Sequence, residues 1–368
     1  MLCAKGETDV RVSGIGPRLN NWISGSSART LRAGAKPIAR CRDEAAFSRR
    51  SHPRAIWQTL HRRRRGRPLQ FDTIALRCAR VSTITLAGGM AQVPDNIEAR
   101  ELAENLLVAV VDGARRALGQ RLTAVYALGS LAHGGFSAHV SDIDVGLVLC
   151  DPLDGKDAEA VAGLMSSIAA SKKPFADRLS VFWGSISTLS GVSSGGRFPP
   201  LDRLDLKQFG RVLAGRDVRG ELLSPTQKEL VLAGAEFALW RLATDEVTAK
   251  VKNPKALASS DPRTVTKLVL FPVRFLFTAR TGEVGRNEAA VDHFVSYAKG
   301  PASNLARMAI EWRDVPPNPR DNDAVEAMAT GLIPLYQEFL LDYEHRLRGY
   351  GRADLAEAFS RWQQRLRA

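Results

Sequence analysis

Two short apolar runs rich in β-formers, residues 123–128 and 143–149, constrain this chain more than anything else in it. Gly129-Ser130 closes the first run, and Ser141-Asp142-Ile143-Asp144 opens the second. Apolar runs of that length bounded by turn residues read as buried strands. Ser130 stands where it would N-cap a short helix over Ser130 to His133, and Gly134, Gly135 and Ser137 then make a flexible loop. Free N–H groups at such a helix start favour anions, so a triphosphate fits there. Residues i and i+2 of a strand share a face, which makes Asp142 and Asp144 project together. Two close carboxylates repel unless a cation sits between them. Mg²⁺ takes such oxygens together with substrate phosphate. The plain alternative, that Ser141 and Asp142 only shape a turn, is outweighed by the agreement of turn, loop and flanking strands.

Gly129-Ser130 followed by Ser141-Asp142-Ile143-Asp144-Val145 resembles the G-S…S-D-x-D signature of the DNA polymerase β-type nucleotidyltransferase superfamily, above all its aminoglycoside adenylyltransferase-like branch. Residues 211–218, Arg-Val-Leu-Ala-Gly-Arg-Asp-Val, resemble the hhhxGxD segment that follows the catalytic sheet there. Residues 275–283 resemble the helix end of the C-terminal helical domain. The resemblance spans roughly residues 97–345. It implies an α+β fold: a small mixed sheet with helices, followed by an all-α helical bundle. It also implies transfer of a nucleoside monophosphate, AMP from ATP, to a hydroxyl of a small molecule such as an aminoglycoside-like acceptor. Carried over, Gly129, Ser130 and Ser141 hold phosphate, and Asp142 and Asp144 are catalytic through Mg²⁺.

Members of that superfamily carry a third carboxylate on a following strand, as metal ligand or general base. The strand expected here, residues 178–184, has Ser180 at that place and no carboxylate. Asp177 just precedes it, in the other phase of a regular strand, and is carried as a third catalytic candidate that a bulge would bring round. Asp202 and Asp205 are more distant candidates, read in the first instance as surface aspartates near a turn. The gap motivates the alternative of a catalytically degenerate nucleotide-binding or interaction protein of the same fold.

The net charge of +13 invites a nucleic-acid reading, and its location argues against one. Residues 1–89 hold 18 Lys+Arg against 5 Asp+Glu, which is the whole excess; the remainder carries 34 of each. The body therefore has no global field for a polyanion. The basic leader, with His61 to Arg67 its sharpest feature, reads as a solvated disordered arm. A nucleic-acid-binding arm, an organelle transit peptide and a translation start at Met90 are the other readings. Cys3, Cys41, Cys78 and Cys150 show no zinc or disulfide spacing, so a reducing cytoplasm is the expected compartment. Cys150 reads as a small buried residue. The longest apolar stretch, Leu268 to Phe277, falls short of a membrane span and reads as a buried helix kinked near Pro272.

The expected organisation is the leader 1–89, a nucleotidyltransferase domain 90–223 and a helical domain 224–368. Helices are predicted from Pro94 to about Leu118 and over 157–170, 226–250, 263–281, 286–299, 321–348 and 352–367. Residues 185–200, rich in Ser and Gly, read as a long loop, an active-site flap or a plain excursion. Lys267 and Arg274, seven apart on one helix, could reach a triphosphate across the cleft; capping or snorkelling at a domain surface is the preferred reading of both. Loop histidines His133 and His139 are assigned no role, and Trp183, Trp240 and Trp312 read as core. The sequence does not fix the acceptor or the oligomeric state.

Overall fold

Helix α1, Asn96–Leu118, buries one stripe that includes Leu106, Val110 and Ala114, as its periodicity requires. It opens the described part of the computed structural model, which covers residues 96–318 and 320–368. The expectations for the leader 1–89 lie outside the described residues. Strand β1 is Leu122–Leu128, α2 Gly129–His133, β2 Ile143–Leu149, α3 Asp157–Ala170, and β3 Leu179–Ser185. Then come α4 Ile186–Leu189, α5 Pro200–Phe209 and β4 Arg211–Gly215. The four strands form one mixed sheet in the order β3-β2-β1-β4. β1 runs antiparallel to β2 and β4, and β2 parallel to β3.

Strand alternation decides what covers each face. Val125, Ala127, Val145, Leu147 and Val181 pack with α1 and α3 in one core. Tyr126, Leu128, Val148 and Phe182 point the other way and pack with Leu206 of α5. Asp144 and Gly146 share the parity of Val148, so they lie on the face that α5 covers. A Cβ on Gly146 would come within 3.2 Å of Leu206 and 3.0 Å of Phe198. The hhhxGxD stretch is structural: the Tyr126 hydroxyl donates to Asp217 at 3.0 Å and accepts from the Val218 N–H at 2.7 Å, pinning β4 to the strand beside it.

The remainder is helical: α6 Gln227–Arg241, α7 Asp245–Val251, α8 Pro254–Ala258, α9 Pro262–Thr281, α10 Asn287–Tyr297, α11 Pro301–Glu311, α12 Asn322–Gly349 and α13 Ala353–Arg367. These helices share a core of their own. This is the expected α+β architecture, a small mixed sheet and a C-terminal helical region. Helix α9 runs unbroken through Pro272, which lacks the N–H that would bond the Leu268 carbonyl. The Tyr336 hydroxyl of α12 donates to that carbonyl at 3.0 Å and so replaces the missing bond.

Several local expectations are corrected. The helix expected over 226–250 is two, because the chain breaks after α6 and Thr244 caps a new start by accepting from the Val247 N–H. Helices α8 and α11 were not expected, though each opens on a proline. Residues 185–200 are not a plain loop: Ser185 and Thr188 form a capping box around α4. Trp240 is 69% exposed and not core. Cys150 is only partly buried. No helix among the described residues is long and apolar enough to cross a membrane.

Candidate active site

Gly129 follows β1 with a φ of +62°, a backbone region that costs any side chain. A Cβ there would also lie 2.5 Å from Asp144 Oδ2, so only glycine lets this turn close onto that carboxylate. The Gly129 N–H does not face open solvent. It donates to Asp205 Oδ2 at 2.6 Å. Ser130 is not the N-cap of α2; that place is taken by Leu128, with no side-chain cap. The Ser130 hydroxyl instead meets Ser141 Oγ at 3.1 Å, and Ser141 Oγ accepts from the Ser137 N–H at 2.9 Å. Ser141 thus folds the loop back on itself and delivers Asp142 to the mouth of β2.

Asp142 and Asp144 both line a cleft of about 100 Å³, with Gly129, Ser130 and Ser141. The opposite wall comes from the helical half and includes Lys267 and Arg274. Arg263, Lys267 and Arg274 fall on one stripe of α9. Arg263 pairs with Asp142 Oδ1 and Lys267 with Asp142 Oδ2. Arg263 was not anticipated, although its position one turn before Lys267 was legible. The surface-capping reading of Lys267 and Arg274 gives way: both face the motif. The Arg274 Nε donates to the Gly285 carbonyl at 2.5 Å. Burial holds its guanidinium below the ordinary arginine value, against Asp205, Asp144, Asp202 and Asp142, which pull it back up.

Asp144 is crowded. Burial, then the charges of Asp142 and Asp205, push its carboxyl up to about 7. Asp202 is pushed up to about 8 by burial and by Asp144 and Asp205. Burial also raises Asp205. The surface-aspartate reading of Asp202 and Asp205 is therefore corrected: α5 lies on the Asp144 face of the sheet and brings both beneath it. The signal was Pro200 followed by Leu201 and Leu204, a helix start with an apolar stripe. Ser180 pairs with Asp144 in the β2–β3 register, so the place expected to carry a third carboxylate is a hydroxyl. Asp177 sits in a 3₁₀ turn ahead of β3 and does not line the cleft. His133 does line it, 3.9 Å from Asp205, and burial lowers its imidazole. No residue of 185–200 lines it.

Among the described residues no group of three His, Cys, Asp or Glu side chains is set to hold a metal ion. The pair Asp142 and Asp144 still suits Mg²⁺, which takes one or two carboxylates and fills its shell with substrate phosphate and water. A crowded carboxylate raised to about 7 is one that a divalent cation would relieve.

No protein-family model matches the chain, and no curated protein does. Among solved structures it is similar to spectinomycin adenyltransferase AAD(9) from Enterococcus faecialis, determined with ATP and spectinomycin. The identity is 13% and the TM-score 0.41, over 61% of this chain and 97% of that one.

Proposed function

We propose that this chain is a nucleotidyltransferase that moves a nucleoside monophosphate, AMP from ATP, onto a hydroxyl of a small molecule. What carries the reading is one observation: Asp142 and Asp144 meet a cationic stripe of α9 across a cleft floored by the Gly129 turn. Carboxylates for a metal and cations for phosphate, on opposing walls, are what phosphoryl-type chemistry needs, since it is mostly positioning and charge neutralisation. In this reading residues 90–223 form the nucleotide half and 224–368 the helical half.

Asp142 and Asp144 would hold Mg²⁺, which when bound neutralises phosphate charge and polarises the attacked phosphorus. This chain's own residues do the rest. The cleft of about 100 Å³ is below the roughly 300–1,000 Å³ of ligand pockets, so nucleotide entry must part Asp142 from Arg263 and Lys267. The two cations then exchange a carboxylate for phosphate oxygens. Arg274 offers charge beside Asp144. The Gly129 N–H is already satisfied by Asp205, so the turn contributes close backbone approach and the Ser130 hydroxyl more than a free N–H. Asp177 has no part in this arrangement.

A binding-only role is the second reading, and the hydroxyl of Ser180 opposite Asp144 favours it. Calorimetric titration of Mg·ATP into the full chain, beside Asp142→Asn/Asp144→Asn, tests the first. The wild type should bind, and the double variant should bind at least about tenfold more weakly. Equal affinity in the two would refute the site. Pyrophosphate release with an acceptor separates transfer from binding alone.

A further inference from the structure

Resting on that nucleotide reading, we propose that the hydroxyl acceptor is a small anion, bearing a phosphate or a carboxylate, and not a polyamine. The argument begins with the cleft wall contributed by the helical half. It supplies Lys267, Arg274, Arg286 and Arg313 and not one carboxylate. The opposite wall supplies only Asp142 and Asp144.

These cations fall in two groups. Lys267, with Arg263 beside it, is matched by Asp142, and Arg274 faces the Asp144, Asp202 and Asp205 cluster. Arg286 and Arg313 come from elsewhere, just before α10 and just after α11, and flank the His133 to Gly135 segment. Arg313 is 7% exposed and donates to the Gly135 carbonyl. The Arg286 guanidinium lies 5.1 Å from the centre of the Phe209 ring. Among the described residues neither has a carboxylate oxygen within 4.0 Å. Arg286 is exposed, and the acidic charges that act on the buried Arg313, Glu288 and Asp314, do not line the cleft, so both guanidiniums keep donors for an anion that enters it. The field is felt locally: Arg274 and Arg286 both add to the lowering of the His133 imidazole. The same wall holds Thr266, 1% exposed, with a hydroxyl that has no hydrogen-bond partner. That hydroxyl is covered as the cleft stands and meets a hydroxylated ligand only once the cleft opens.

A polyamine acceptor would meet these arginines on a wall whose cleft lining holds no carboxylate, since the exposed Glu288 beside Gly135 lies outside that lining. Like charges at close quarters in a half-dry cleft select against it. A phosphate or carboxylate on the acceptor finds a bidentate partner in either arginine.

The test uses the full chain saturated with Mg²⁺ and an ATP analogue that cannot be cleaved at the α-phosphate. Glucose 6-phosphate, gluconate and a polyamine aminoglycoside are titrated separately, against wild type and Arg286→Glu. At least one of the two anions should bind the wild type, and Arg286→Glu should weaken it by about tenfold or more, with a smaller change for the analogue itself. Which anion binds identifies phosphate or carboxylate as the group recognised. Binding of the aminoglycoside in place of either anion would overturn the proposal. So would a loss in Arg286→Glu confined to the ATP analogue, which would assign Arg286 to the triphosphate. Absence of analogue binding that depends on Asp142 and Asp144 would instead remove the nucleotide reading beneath it.

Discussion

Gly129 and Asp144 define each other at the level of single residues. The positive φ and the 2.5 Å approach to Oδ2 leave room for a hydrogen and nothing more. Gly129→Ala should cost about 1–3 kcal/mol, read as a fall in thermal midpoint, and should weaken Mg·ATP in the same preparation. Asp202 gives the pH prediction. Burial and the neighbouring aspartates push it up to about 8, well above an ordinary carboxylate, so the fold favours the neutral acid. The native state then binds more protons than the unfolded chain between those values, and stability declines as pH rises from about 4 to 8. Asp202→Asn should flatten that decline and stabilise the protein at pH 8 by on the order of 1–2 kcal/mol, allowing for solvent screening. Denaturant melts of both proteins across that range check it; parallel profiles would count against the burial of that charge.

At the element scale, α9 carries most of the consequence. It presents Lys267 and Arg274 to the cleft and Arg263 to Asp142, while its buried side sits in the helical core. Its Pro272 would ordinarily break it, and Tyr336 of α12 supplies the absent donor. Tyr336→Phe should therefore cost about 1–3 kcal/mol, because it orphans a buried carbonyl, and it should show as a lower denaturation midpoint with unchanged far-UV helicity. Gly331 sets the spacing of α12 against α11. A Cβ there would lie 2.8 Å from both the Pro301 carbonyl oxygen and Leu305 Cβ. Alanine gains about 1 kcal/mol in helix propensity, but neither neighbour is a flexible tip, so Gly331→Ala should be net destabilising by about 1–2 kcal/mol. A raised midpoint would mean the two helices can part.

For the whole molecule, the decisive feature is that the sheet half and the helical half touch through charges at the candidate site. Asp142, Arg263 and Lys267 are each close to a third exposed, so salt reaches them. Raising ionic strength should weaken Mg·ATP binding in the wild type more than in Arg263→Gln/Lys267→Gln, since the variant has lost the cations that follow the phosphates. Titrations at low and high salt decide it, and equal slopes would remove α9 from phosphate binding.

The chain by itself determined its local structure. The apolar runs 123–128 and 143–149, bounded by turn residues, gave the two central strands, helical periodicity gave α1, α3, α9, α12 and α13, and the G-S and S-D-x-D pattern put Asp142 and Asp144 side by side. Those are short-range properties, set by backbone period and turn chemistry. Which charges meet was decided only in three dimensions. Nothing local says that Arg263 and Lys267 pair with Asp142, more than a hundred positions earlier. Nor does it say that α5 lays Asp205 on the Gly129 N–H, or that Arg286 and Arg313 line the same cleft. Asp202 and Asp205 read as surface residues because a helix pattern does not reveal which face of which strand it will cover. That depends on the parity of Asp144 in β2 and on the helix that parity leaves to bury it.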